Sequence, residues 1–309
     1  MNHEISHEHL IGFVADLQKR GKKPATIESY SCDVKNFLNF LLEEGVDTFE
    51  KIDQITLANF QEQLSTKYRK HGNSVRRVVV GVRQFFKYLK DSGIKEAETP
   101  FEVMSIPCRI ESIPKVLDEK EMKKLSLIAS KEKPYIKASR DTAILWLLGY
   151  EGLKANEITA LKWSDLLLEK DVGSLKISGS KSRVIMFSNE TGRKLLEYKN
   201  AFNKEKKEAH FIHQMKSTEK RMFMGFKGRE NLRPLSRLTR HGLKFLLYEL
   251  GNKACINQLN SEILRHFAIS NFVNQGVSIE KIMEHLGLRR KGNISKHINR
   301  LRIRKDVGN

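Results

Sequence analysis

Apolar residues between positions 7 and 93 recur at three- and four-residue steps. That is the period of helices with one buried face. A first helix is predicted over 7–20. Pro24, Ala25 and Thr26 open a second, since the first turn has no use for the N–H that proline lacks. It runs through Ile27, Tyr30, Val34, Phe37, Leu38 and Leu41 to a stop at Gly45. A third covers 55–64. Asn73 or Ser74 caps a fourth over 75–91, with Gly93 beyond its end. The pattern predicts an all-α unit over 1–98. Residues 99–116 hold Pro100, Pro107 and Pro114 and no helical period, which predicts a linker.

Beyond it, Asp118 caps a new helix, and long apolar stretches predict helices over 140–150 and 156–161. Residues 173–187 alternate around Gly179-Ser180, the pattern of a β-hairpin. Residues 199–231 are strongly charged and poorly periodic, which predicts an exposed excursion. Helical spacing resumes over 235–251, 261–275 and 278–286. The expected fold is mainly α: an all-α N-terminal domain and an α-rich C-terminal domain over 117–309 with a small β-sheet.

Charge sharpens this division. The 309 residues include 56 Lys+Arg and 37 Asp+Glu, a net of +19. Residues 1–112 hold 16 of each sign, so the whole excess lies in 113–309. The first half is not uniformly neutral: Lys67, Arg69, Lys70, Arg76, Arg77, Arg83, Lys87 and Lys90 follow one another with no acid between them. Two basic surfaces of this kind suit a polyanion, above all nucleic acid. Three scattered cysteines show neither disulfide nor zinc spacing, as in a reduced cytosolic protein. No stretch approaches the ~20 apolar residues of a membrane span. The N-terminal MNHEISHEHL is not built as a secretory signal.

Several ordered motifs then resemble the tyrosine recombinase (phage integrase) family. Thr26, Tyr30, Asp33, Phe37 and Leu38 match the pattern of its core-binding domain. Arg140-Asp-Thr-Ala-Ile-Leu, Gly152-Leu-Lys-Ala-Asn-Glu-Ile and Leu161-Lys-Trp-Ser-Asp resemble the segment with the first catalytic arginine. Leu264-Arg-His-Phe-Ala, Gly276 and Leu286-Gly resemble the C-terminal signature. The resemblance implies a SAM-like helical domain followed by a catalytic-type domain acting on duplex DNA. Family chemistry needs a phenol nucleophile, cations on the phosphoryl oxygens and a proton donor.

At the corresponding positions the chain carries other residues. Lys154 stands for the first arginine and lacks its bidentate fork. Ser178 stands for the hairpin lysine, with Lys181 matching a second lysine, or the first after a slip in register. Glu262 stands where a histidine or lysine is usual, while Arg265 is retained. Leu288 replaces the late histidine, and the nucleophile position falls at or beside His297. No tyrosine follows Tyr248. These replacements predict that no catalytic residue remains and that the protein is not an enzyme. They point to a phage or prophage transcriptional repressor that maintains lysogeny. A divergent active recombinase using His297, or an architectural accessory factor, are the alternatives.

The residues expected on DNA fall in four groups. Lys154, Lys181, Arg183 and Arg265 fill the cleft as phosphate contacts, although burial of Arg265 against Glu157 or Glu262 competes. Arg237, Thr239, Arg240 and His241 start a helix suited to a groove. Thr26, Arg69, Lys70, His71, Ser74, Arg76, Arg77, Arg83 and Lys87 form the N-terminal set. Arg289 and Arg290 follow the Leu-Gly turn, in a stretch that also reads as a helix-turn-helix. The histidines near residues 3–9 and 210–213 read as exposed polar groups, so neither a metal nor a cofactor is expected. Double-stranded DNA is the expected partner. Self-association on DNA and a protein or peptide regulator are further expectations. The expected location is the bacterial cytoplasm, at the nucleoid.

Overall fold

A computed structural model describes residues 5–66, 72–93, 116–170, 172–179, 181–206, 221–227, 233–235, 237–289, 292, 294 and 295. The chain divides into two compact units, Met1–Ser112 and Ile113–Asn309.

In the first unit the helical period produces four helices: α1 (His7–Lys19), α2 (Pro24–Glu43), α3 (Gln54–Thr66) and α4 (Asn73–Asp91). Pro24 occupies the first turn of α2 as its chemistry favours. Their apolar faces close on an aromatic core. Phe37 meets Phe60 at 4.9 Å and Phe86 at 5.7 Å between ring centroids, both edge to face. Phe13, Leu17, Val34, Leu41, Val78 and Val82 fill the space around them.

The second unit is built on one helix. Twelve residues of that helix, α6 (Tyr135–Gly149), are buried, including polar Arg140, Asp141 and Thr142. A helix buried on most sides lies in the interior, and its charged Asp141 is paired there with Arg140 and Lys137. Around it lie α5 (Glu119–Ser130), the short α7 (Ala155–Ala160), α8 (Asn189–Lys206), α9 (Arg240–Ala254), α10 (Ser261–Asn274) and α11 (Ile279–Leu286). Asp118 caps α5 reciprocally with Glu121: each side chain accepts from the other's backbone N–H, at 2.7 and 2.9 Å.

The expected hairpin is present as β2 (Val172–Ile177) and β3 (Arg183–Met186), antiparallel, with Leu175 opposite Ile185. It gains a third strand, β1 (Leu166–Glu169), paired with β2 so that Leu167 faces Ser174. The exposed excursion is corrected in two places. Residues up to Lys206 continue α8, and Met222, Phe223 and Met224 are core. Strand β4 (Gly225–Lys227) pairs with β5 (Arg233–Leu235), so position 235 closes a strand and α9 begins five residues later. Tyr198 on α8 holds the buried turn, its hydroxyl donating to the Met222 carbonyl at 2.9 Å. The linker over 99–116 lies outside the described residues except for its last position.

Candidate nucleic-acid interface

The second unit gathers four cations where α6, β3, α10 and α11 converge. The segment after α6 turns at Gly152, whose φ is +66°. The tightness is a requirement: a Cβ there would sit 2.6 Å from Leu286 Cδ2 and 3.1 Å from the Ala268 Cβ. Lys154 follows at the start of α7, its backbone N–H donating to Glu157 Oε2 at 2.9 Å.

Arg265, on α10, is buried with 5% of its surface exposed. It donates from Nη1 to the Gly152 carbonyl and from Nη2 to the Leu286 carbonyl, the latter at 3.1 Å. Its hydrogen-bond partners are therefore backbone oxygens, not the carboxylates of Glu157 or Glu262. Burial lowers its pKa, and the charges of Glu157 and Glu262 oppose that.

Arg183, on β3, is engaged more completely. Its Nη1 and Nη2 donate to the two Glu157 oxygens at 2.9 and 3.2 Å, and Nε donates to the His285 carbonyl at 2.6 Å. Gly287 makes room for it, since a Cβ there would lie 2.9 Å from Arg183 Nη1. Burial alone disfavours the Glu157 carboxylate, yet Arg183 and the Lys154 N–H hold its pKa below the ordinary value. The Lys154 ammonium is pushed down, first by burial and then by Arg265, Lys181 and Arg183. Lys154, Arg183 and Arg265 thus lie in the field of the Glu157 carboxylate, and of these only the Arg183 side chain hydrogen-bonds to it.

Glu151 braces this arrangement from behind. Its Oε1 accepts from Ser188 N at 3.1 Å, Ser188 Oγ at 3.2 Å and Thr191 Oγ1 at 2.6 Å. The His285 imidazole lies 3.4 Å from Oε2 and 3.1 Å from the Glu151 carbonyl. Burial opposes ionisation of Glu151, and these partners outweigh it, leaving its pKa lowered.

A pH dependence follows. A carboxylate with a lowered folded pKa stabilises above its unfolded pKa and loses that contribution as pH falls through its folded value. Stability of the second unit should be flat at neutral pH and fall steadily below about pH 4.5. Urea midpoints across that range for the native chain and Glu151→Gln test this. An unchanged acid slope in the variant would remove Glu151 from the account.

The other replaced positions are less engaged. Ser178 is exposed after β2, Leu288 is half-buried after α11, and His297 lies outside the described residues. Glu262 is exposed in the first turn of α10, where an acid suits the helix dipole. Its place at a helix start explains the acid, and its charge acts on Arg265.

Arg237, Arg240 and His241 are exposed around the start of α9. Thr239 caps that helix, its Oγ1 accepting from Gly242 N at 3.0 Å, so its hydroxyl serves the backbone. Arg289 is exposed, and Arg290 lies outside the described residues, as do Arg69, Lys70 and His71. In the first unit Thr26 and Ser74 lie on α2 and α4, with Arg76 and Arg83 half-buried and Lys87 exposed on α4. Arg77 is paired with buried Asp33. Glu151 and His285 escaped sequence reasoning. Among the described residues no cluster of His, Cys, Asp or Glu could hold a metal, and no helix is long and apolar enough to cross a membrane.

Comparison with known proteins places these features. The model of the phage integrase family matches residues 115–299, and that of the phage integrase N-terminal SAM-like domain matches residues 10–93. The tyrosine recombinase XerC of Bacillus pumilus (strain SAFR-032) is 27% identical over 89% of this chain and 86% of its own length. The tyrosine recombinase XerD of Listeria monocytogenes serotype 4b (strain F2365) is 25% identical over 94% of this chain and 93% of its own. Among solved structures, the XerH site-specific recombinase bound to palindromic difH substrate, in a post-cleavage complex, shares the fold. Its TM-score is 0.69 at 16% identity, covering 95% of this chain and 84% of that one.

These relatives overturn the expectation of a non-enzyme. Proteins matching the chain almost end to end are named for an enzymatic activity. The inference took the replacement of most family residues together as loss of activity, and the match to named recombinases along almost the whole chain overturns it. With a helical SAM-like domain ahead of a catalytic-type domain, and both family models matched in order, the chain belongs to the phage integrase family.

Proposed function

We propose that the protein binds specific duplex DNA and acts there as a site-specific recombinase of the XerC/XerD kind. The observation that carries this is the convergence of Lys154, Lys181, Arg183 and Arg265 at one junction of the second unit, in a family whose named relatives are recombinases. A phosphate bound there meets Lys154 and Lys181, while Arg183 and Arg265 hold the surrounding segments together. The start of α9, with Arg237, Arg240 and His241, and the basic α4 of the first unit supply further duplex contacts.

His297, at or beside the position where the family carries its nucleophile, is the candidate nucleophile. An imidazole nitrogen attacking phosphorus forms an N–P bond and breaks the bond to the leaving sugar oxygen. That oxygen takes its proton from a neighbouring lysine ammonium.

A second reading, occupation of a promoter as a prophage repressor, is favoured by one observation. Arg183 and Arg265 already spend donors on Glu157 and on backbone carbonyls. Binding then requires many contacts outside the cleft.

The test is DNA capture, then binding to the enriched duplex and a denaturing gel on a nicked version. Affinity should fall with salt at a log–log slope of about −0.9 per phosphate neutralised. Arg240→Ala should weaken binding by about tenfold. A covalent adduct, lost in His297→Ala, supports the recombinase. Promoter sites without adduct support the repressor. Binding that ignores salt would sink both.

A further inference from the structure

The first unit holds an arginine in an unusual way. Asp33, on α2, is a carboxylate with only 2% of its side chain exposed. Arg77, on α4, meets it end-on, with Nη1 2.6 Å from Oδ2 and Nη2 2.9 Å from Oδ1. Ser29, one turn earlier on α2, also accepts from Arg77 Nη1. The helices approach closely at residue 81, one turn beyond Arg77, where a Cβ would make ordinary van der Waals contact. A Cβ there would already lie 3.5 Å from the Asp33 Cβ and 3.4 Å from Tyr30 Cδ1.

Arg77 nevertheless keeps 44% of its side chain exposed. Its guanidinium is fixed along one edge and open on the other. A planar fork held this way is already oriented, so it surrenders little rotamer freedom when it meets a ligand. An ordinary surface arginine adds charge but no fixed direction.

We propose that Asp33 is a positioning residue for DNA recognition: by holding Arg77 in one orientation at the α2–α4 seam, it makes Arg77 a specificity-determining contact rather than a loose charge. This rests on the DNA-binding reading above.

The sign of the effect separates positioning from electrostatics. Asp33→Asn makes the protein one unit more positive, so charge alone predicts tighter binding to every duplex. Positioning predicts weaker binding to the preferred duplex and little change elsewhere. Arg77→Lys keeps the charge but cannot span both carboxylate oxygens. It changes a part-exposed side chain, so it keeps the test open if Asp33→Asn does not fold.

The experiment selects a preferred duplex from a random library with the full native chain. Both variants, checked for folding by circular dichroism, are then measured on that duplex and on a random one of equal length. A loss of about tenfold on the selected duplex, with the random one changed less than about threefold, is the expected result. Folded Arg77→Lys binding the selected duplex as well as the native chain would overturn the positioning role. A native chain that selects no duplex would overturn the DNA-binding reading with it, an outcome seen before any variant is made.

Discussion

Arg265→Met should destabilise the second unit by roughly 2–5 kcal/mol. Methionine fills much of the same volume, so a large cavity is not the cause. The cost lies in the carbonyls of Gly152 and Leu286, which lose their guanidinium donors inside a packed junction. An unsatisfied buried polar group costs about 1–3 kcal/mol. Arg265→Lys should recover only part of the loss, since one ammonium replaces a planar fork that bridges two segments. Urea denaturation followed by tryptophan fluorescence reads this directly, because Trp146 and Trp163 both lie in the second unit. A midpoint unchanged in Arg265→Met would mean that the two carbonyls find other donors.

The second large effect concerns Asp141, which is fully buried. Its oxygens lie 3.0 Å from Lys137 Nζ and 2.7 Å from Arg140 Nε. Arg140 in turn donates to the Met224 carbonyl at 2.8 Å and lies 4.6 Å over the Phe226 ring. Asp141→Asn keeps the shape and removes the charge that both cations face. Breaking a buried pair in this way costs about 3–5 kcal/mol. Lys137→Met should cost less, because Glu132 keeps Lys253 as a partner and Asp141 keeps Arg140. Thermal melts of the two variants give the ranking. Equal losses would show that Lys137 carries as much of the network as Asp141.

Much of the helical framework was legible because one-sided burial imprints its period on the chain, as over Val34, Phe37, Leu38 and Leu41. Strand β1 was not: Leu166-Leu-Leu-Glu lacks the alternation of a half-exposed strand, and its partner makes it one. Met222-Phe-Met is three residues long amid charges, too short to show any period, and only the Tyr198 hydroxyl and the surrounding core explain its burial. At the candidate site, residue types were readable but pairings were not. Arg183 meets Glu157 across 26 positions and Arg265 meets Gly152 across 113. No local spacing encodes such partners. Glu151 and His285 were invisible for the same reason, since they meet each other across 134 positions and Glu151 meets Ser188 and Thr191 across 37 and 40. The exclusion of enzyme activity failed because it rested on residue identities at family positions, and identities alone do not report what a group of converging side chains does.

The left-handed glycines at 152 and 287 have an evolutionary consequence. Any side chain at the first presses on Leu286, and any at the second presses on the Arg183 guanidinium. The two turns bracket the same arginine-held junction, so enlarging either residue alone strains the other side. Reshaping the cleft therefore requires coordinated change on both segments, a strongly epistatic path. Cleft geometry should drift slowly in this lineage while its exposed basic residues turn over freely.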